Sequence, residues 1–214
     1  GRYIMLNINN RHAYINSYSQ QALDKTHQLN KESTIKLNGD HIPFESLKFH
    51  LFDTEKIAHD GQGNIYILSD ENGKKYAGKV FNQEHYLLKE QSAYKKIGSH
   101  PNIVNYHGTT SINGKTYLVT ELVNGDTLKN FIHKCDDFCK SHPKDINHIA
   151  EIKLIFAKQL ISALNHLEEK GLSHADIKPE NILVANDGKI KLIDFGMLTK
   201  ATNQISNTLG TANY

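Results

Sequence analysis

Four of the polar side chains in one stretch, Leu172-Ser-His-Ala-Asp-Ile-Lys-Pro-Glu-Asn-Ile-Leu-Val184, and in the Ile193-Asp-Phe-Gly196 that follows it, could do chemistry together. They are Asp176, Lys178, Asn181 and Asp194. A carboxylate orients a hydroxyl and takes its proton, and an ammonium offsets anionic charge. Carboxylate and amide oxygens are hard donors that suit Mg²⁺. The ordinary alternative is a loop of solvated charges broken by Pro179. A second constellation, His133-Lys-Cys135 and Cys139-Lys-Ser-His142, carries four ligands of the kind that bind Zn²⁺. Its window holds no loop long enough for a usual finger, so ordinary helix and loop residues are the preferred reading there.

Composition narrows the classes. The chain has 214 residues, 38% hydrophobic and 22% charged, which suits one globular domain or two small lobes rather than disorder. A formal charge of +2 is too near neutral for a nucleic-acid or anionic-membrane surface. No apolar run approaches the roughly 18 residues of a membrane span. Neither nucleic acid nor a membrane is therefore expected as a partner. The two cysteines, Cys135 and Cys139, build no disulfide scaffold, and a reducing cytoplasm fits them.

The elements that must position these residues follow from turn signals and periodicity. Phe49–Ile57, Asn64–Leu68 and Lys75–Phe81 alternate as three antiparallel strands separated by Asp-Gly-Gln-Gly and Asp-Glu-Asn-Gly. Gln83–Ile97 has helical spacing and Gly98 stops it. Strands at Ile103–Thr109 and Thr116–Glu121 are turned by Asn113-Gly114, whose residues tolerate positive φ. After Gly125 the chain turns helical, with Ile149–Glu169 the longest run, and Ile182–Ala185 and Ile190–Ile193 return to strand. Strands with one helix followed by helices predict an α+β, two-lobed arrangement. Residues 1–45 are polar and weakly patterned, with a short helix expected from Ala22 to Lys31 and a turn at Asn38-Gly39.

Further motifs stand in order around the first stretch: Lys75-Lys-Tyr-Ala-Gly-Lys-Val80, His100-Pro-Asn-Ile-Val104, Glu121-Leu-Val123 and Gly210-Thr-Ala-Asn-Tyr214. With Asp-Phe-Gly starting eighteen residues after Asp176, the series resembles the eukaryotic-type Ser/Thr protein kinases from about Phe49 to Tyr214, in a truncated or minimal form. The resemblance implies a kinase β-rich lobe over 46–122, a partial helical lobe over 123–214 and an N-terminal extension over 1–45. It implies ATP and Mg²⁺ as cofactors. Asp176 would be the catalytic base, Lys178 would stabilise the transferring phosphoryl group, and Asn181 and Asp194 would be the metal ligands. Lys79 would hold phosphates with Glu90 as its partner, Glu84 being the runner-up. Ile57, Gly63, Ile65, Ala77, Thr120, Glu121, Val123 and Leu183 would complete the ATP site.

Departures from the family pattern are as informative. If Gly63 is the third glycine of the phosphate loop, Ala58 and Asp60 replace the first two, and a carboxylate at Asp60 should repel ATP unless it turns outward. Ala175 stands where many kinases carry an arginine that pairs with a loop phosphate. The family's helical lobe usually continues for about a hundred residues more. Apolar residues on the inner face of Ile149–Leu167, with Leu160, Leu164 and Leu167 foremost, are then expected to need covering by a protein partner, by self-association or by residues 1–45. The leading expectation is a protein Ser/Thr kinase acting on a protein substrate in a cytoplasm, or in a host cell if the chain is a secreted bacterial effector. A pseudokinase or nucleotide-responsive binding module is the alternative, and a small-molecule kinase stands third.

Overall fold

The computed structural model describes residues 48–52 and 56–201. The short helix and turn expected before residue 46, and Gly210–Tyr214, lie outside them. The first half is an antiparallel sheet built from β1 (Phe49–Leu51), β2 (Ala58–His59), β3 (Gly63–Asp70), β4 (Lys75–Phe81), β5 (Tyr106–Ile112) and β6 (Lys115–Glu121). Its order is β1-β3-β4-β6-β5, and β2 also pairs with β3. Tight turns make this order possible. Asp70 Oδ1 accepts from the backbone N–H groups of Asn72 and Lys74, each at 2.9 Å, and closes the β3–β4 hairpin. At the β5–β6 turn Asn113 and Gly114 take φ of 51° and 73°, the paired positive angles such a two-residue hairpin requires.

Two expected strands are corrected. The run Phe49–Ile57 is not one strand, because β1 pairs with the Leu68–Asp70 end of β3 while β2 pairs with Asn64 and Ile65. Only one β3 residue, Tyr66, separates the carbonyls of Ile67 and Ile65 that receive Phe52 N–H and Ile57 N–H. The run therefore contributes two separate strands to the sheet rather than one. The run Ile103–Thr109 begins late, at Tyr106, and extends to Ile112. Ile103 and Val104 instead serve β10 (Ile190–Leu192), since Val104 N–H donates to the Leu192 carbonyl at 3.0 Å and Leu192 N–H to the Asn102 carbonyl at 2.9 Å. Asn102 Nδ2 adds bonds to Gln159 Oε1 (2.7 Å) and the Ile190 carbonyl (3.1 Å), which fastens the sheet to the helical half.

Gly63 has a structural reason of its own. A Cβ there would lie 2.1 Å from the Val80 carbonyl oxygen across the β3–β4 pair. Gly63→Ala is expected to destabilise the fold by about 1–3 kcal/mol through forced separation of the strands. A denaturation midpoint equal to wild type would contradict this.

The helical half follows the expected periodicity with shifted starts. Helix α1 (Glu84–Ile97) packs on the sheet, and Gly98 ends it with φ 70°. A short strand, β7 (Gly125–Thr127), precedes α2 (Leu128–Ser141), whose first turn is capped by Thr127 Oγ1 accepting from Asn130 N–H at 3.2 Å. Phe131, Cys135 and Phe138 fall on one face of α2 and are buried. Burial pushes the Cys135 thiol up to about 11, so it is a core group rather than a thiolate ligand. Helix α3 (Ile146–Glu169) buries Ile149, Ile152, Phe156, Ala163 and Leu167. This corrects the expected uncovered face: Leu167 is only 1% exposed, and Leu160 and Leu164 are partly buried against the same core. The apolar residues of α3 left in solvent are Ile146, Leu154 and Ile161. Strands β8 (Leu172–Ser173), β9 (Ile182–Ala185), β10 and β11 (Thr199–Lys200) complete the described chain. None of its described helices is long and apolar enough to cross a membrane.

Candidate active site

Between the sheet and the helical half lies a cleft of about 680 Å³. Ile57, Ile65 and Ala77 line it from the sheet side and Leu183 from β9, with Thr120, Glu121 and Val123 on the connecting segment. Lys79, Glu90, Lys178, Asn181 and Asp194 face the same space. Gly63 does not line it but sits at its edge in the strand pair, its N–H donating to Asp60 Oδ1 at 3.0 Å, and Asp60 does line it. Asp176 is bonded directly to two residues that do. Lys178 Nζ donates to Asp176 Oδ2 at 2.8 Å and Asn181 Nδ2 donates to the same oxygen at 2.9 Å. The Glu121 carboxylate is held at the back of the segment, accepting from Asn105 N–H (2.9 Å) and Lys191 Nζ (2.6 Å).

The catalytic-loop residues are fixed by their surroundings more than by local propensity. His174 is buried, and burial lowers its pKa, so the ring is neutral. Its Nε2–H donates to the Ile193 carbonyl at 3.0 Å while Nδ1 accepts from Asp176 N–H at 3.3 Å, one tautomer serving both bonds. Ala175 and Asp194 adopt φ of 64° and 60°, a conformation L-residues reach only when neighbours impose it. A column of rings runs beside both positions: Tyr106 stacks on Tyr94, Tyr94 meets Phe195 edge-on, and Phe195 meets His174, with centroids 5.2, 5.2 and 4.9 Å apart. Four elements contribute one ring each, so spacing along the chain gave no signal for it.

The donor set fits Mg²⁺. Asn181 uses its amide nitrogen for Asp176 O and Oδ2, which turns its amide oxygen away from those contacts, and Asp194 Oδ1 accepts from Gly196 N–H at 3.3 Å. Among the described residues no group of three or more His, Cys, Asp or Glu converges as a protein cage. Two protein oxygens are what Mg²⁺ takes when waters and substrate phosphates fill its other positions.

Comparison with known proteins supplies the family. The protein kinase domain matches residues 54–214. The chain belongs to the protein kinase family. It is 28% identical over 199 residues, 86% of its length, to the RAC family serine/threonine-protein kinase homolog of Dictyostelium discoideum. Identity is 30% over 85% of the chain to Sperm motility kinase 3A of Mus musculus, and 30% over 76% to the serine/threonine-protein kinase AtPK1/AtPK6 of Arabidopsis thaliana. The matches span 42%, 33% and 35% of those relatives, respectively. Protein kinases generally use ATP and Mg²⁺.

Within this kinase cleft the ammonium of Lys79 is the centre of charge. Its Nζ is 2.8 Å from Glu90 Oε2, the partner expected from the sequence, and Glu84 takes no part in the pair. It is also 2.5 Å from Asp60 Oδ2. Asp60 thus turns inward onto the lysine, not outward as the sequence reading required for easy ATP entry. Burial disfavours the Lys79 ammonium, but Glu90, Asp194 and Asp60 together outweigh it and raise its pKa. Burial also pushes Glu90 up to about 7, with the Lys79 charge working against the shift. A raised folded-state pKa favours the fold below the unfolded value and loses that contribution as pH rises through about 7. Relative to Glu90→Gln, which cannot titrate there, the wild type should lose stability as pH rises between pH ~5 and ~7, by about 1 kcal/mol per pH unit at most. Urea midpoints that differ by a constant amount across that range would contradict the assignment.

Proposed function

We propose that this kinase-family chain is a protein serine/threonine kinase that transfers the γ-phosphoryl group of ATP to a hydroxyl of a protein substrate. The observation that carries this is the joint placement of Lys79–Glu90, Lys178, Asn181 and Asp194 on one cleft, with Asp176 hydrogen-bonded to Lys178 and Asn181 beside it. Asp176, oriented by Lys178 and Asn181, accepts the proton as the substrate oxygen forms its bond to phosphorus and the bond to the leaving diphosphate oxygen breaks. Lys178 offsets the charge on the moving group. Lys79, steadied by Glu90, holds the remaining phosphates in line. Asn181 and Asp194 would hold Mg²⁺, which supplies charge cancellation on the phosphates. The apolar walls formed by Ile57, Ile65, Ala77, Val123 and Leu183 suit a flat base, with the small Thr120 at the back.

The exposed Ile146, Leu154 and Ile161 of α3 suit cover by a protein partner or a second copy. The two free thiols suit a cytoplasmic setting.

The test is transfer of label from γ-labelled ATP with Mg²⁺ to generic protein acceptors, followed by phosphoamino-acid analysis. Label on serine or threonine is expected. ATP binding without any transfer would instead indicate a nucleotide-responsive binding module.

A further inference from the structure

Resting on the nucleotide-site reading above, we propose that Asp60 is a built-in anion that occupies the phosphate donors of the cleft and sets how strongly it discriminates a nucleoside triphosphate from its nucleoside. The donors that a glycine-rich loop offers an incoming phosphate are backbone N–H groups, aided by the strand lysine. Here one side chain engages both kinds. Asp60 Oδ1 accepts from Gln62 N–H at 3.1 Å and from Gly63 N–H at 3.0 Å, while Oδ2 sits on Lys79 Nζ at 2.5 Å. The loop is drawn down with it. Gln62 packs so close to Gly196 that a Cβ there would lie 3.0 Å from Gln62 Oε1. That Oε1 is buried and without a hydrogen-bond partner among the described residues, so the loop holds this position at a cost.

The two carboxylates on Lys79 are not equivalent. The Glu90 side chain is 3% exposed and anchored in a helix, whereas that of Asp60 is 24% exposed and belongs to a short loop. When phosphate arrives, Asp60 is the one that can leave for solvent, and its departure releases the ammonium and both amides together. A nucleoside without phosphates has no claim on those donors and does not displace it. Asp60 therefore weakens ATP specifically, by competition and by like charge, and leaves recognition of the base untouched.

Calorimetry with Mg·ATP and with adenosine, on wild type, Asp60→Gly and Asp60→Asn, tests this. Asp60→Asn keeps an acceptor for the two amides and removes the charge, which guards against a loop collapse in the glycine variant. ATP is expected to bind both variants about fivefold or more tightly than wild type, with adenosine within twofold throughout. Equal or weaker ATP binding in both variants, with adenosine unchanged, would overturn the proposal and leave the kinase reading standing. If ATP and adenosine both tighten alike, Asp60 shapes the pocket rather than guards the phosphates, and the proposal also fails. If no protein in the set binds either ligand, the nucleotide-site reading falls, and this inference with it.

Discussion

Lys79→Met is expected to lower phosphoryl transfer by about 100-fold or more. The methionine keeps the length and apolar stem of the lysine but removes the one ammonium set among Glu90, Asp60 and Asp194. Without it the phosphates lose their positioning contact, and the carboxylates of Asp60 and Asp194 face them without the ammonium that offset their charge. The buried Glu90 then has no ionic partner and takes up a proton at neutral pH, so the chain is expected to remain folded. A thermal midpoint near wild type with near-complete loss of turnover is the expected pair of results. Turnover within a few-fold of wild type would show that Lys79 holds no phosphate.

Asp176→Asn is the second large effect, with a loss of about 10²–10⁴-fold in kcat. Asparagine is nearly isosteric, so its side-chain oxygen can still accept from Lys178 and Asn181, as Asp176 Oδ2 does at 2.8 and 2.9 Å. It takes no proton. The substitution therefore separates the base from the scaffold: nucleotide affinity should hold within about threefold while the rate collapses. A parallel loss of affinity and rate would mean that the residue acts by shaping the loop.

What the sequence made legible was local. Asp176, Lys178, Asn181 and Asp194 sit in motifs whose spacing is read directly, and Glu90 lies eleven residues from Lys79 on a helix whose period was clear. Helices α1 and α3 were visible for the same reason, apart from one turn at the start of α3. The misreadings arose from long-range competition. Phe49–Ile57 alternates like one strand, yet β1 pairs with one end of β3 while Ile57 N–H reaches the Ile65 carbonyl nearer the other. Ile103 and Val104 have strand character but are taken by β10, ninety residues away in sequence. Leu160 and Leu164 looked uncovered because the α2 and catalytic-loop side chains that help to build their core do not announce their direction in sequence. Asp60 was recognised as out of place in a phosphate loop. Its inward turn onto Lys79 depends on β3 and β4 bringing the two together, which composition and spacing do not encode.

Steady-state rates of kinases can report product release rather than chemistry, so the most direct measurement is a single turnover. Wild type and Asp176→Asn, each loaded with γ-labelled Mg·ATP at matched saturation, are mixed with excess acceptor protein and sampled in time. Label is expected on serine or threonine in the wild type, and slower by about 10²–10⁴-fold in the variant. Equal single-turnover rates in the two proteins would contradict Asp176 as the base, and with it the chemistry assigned to this cleft.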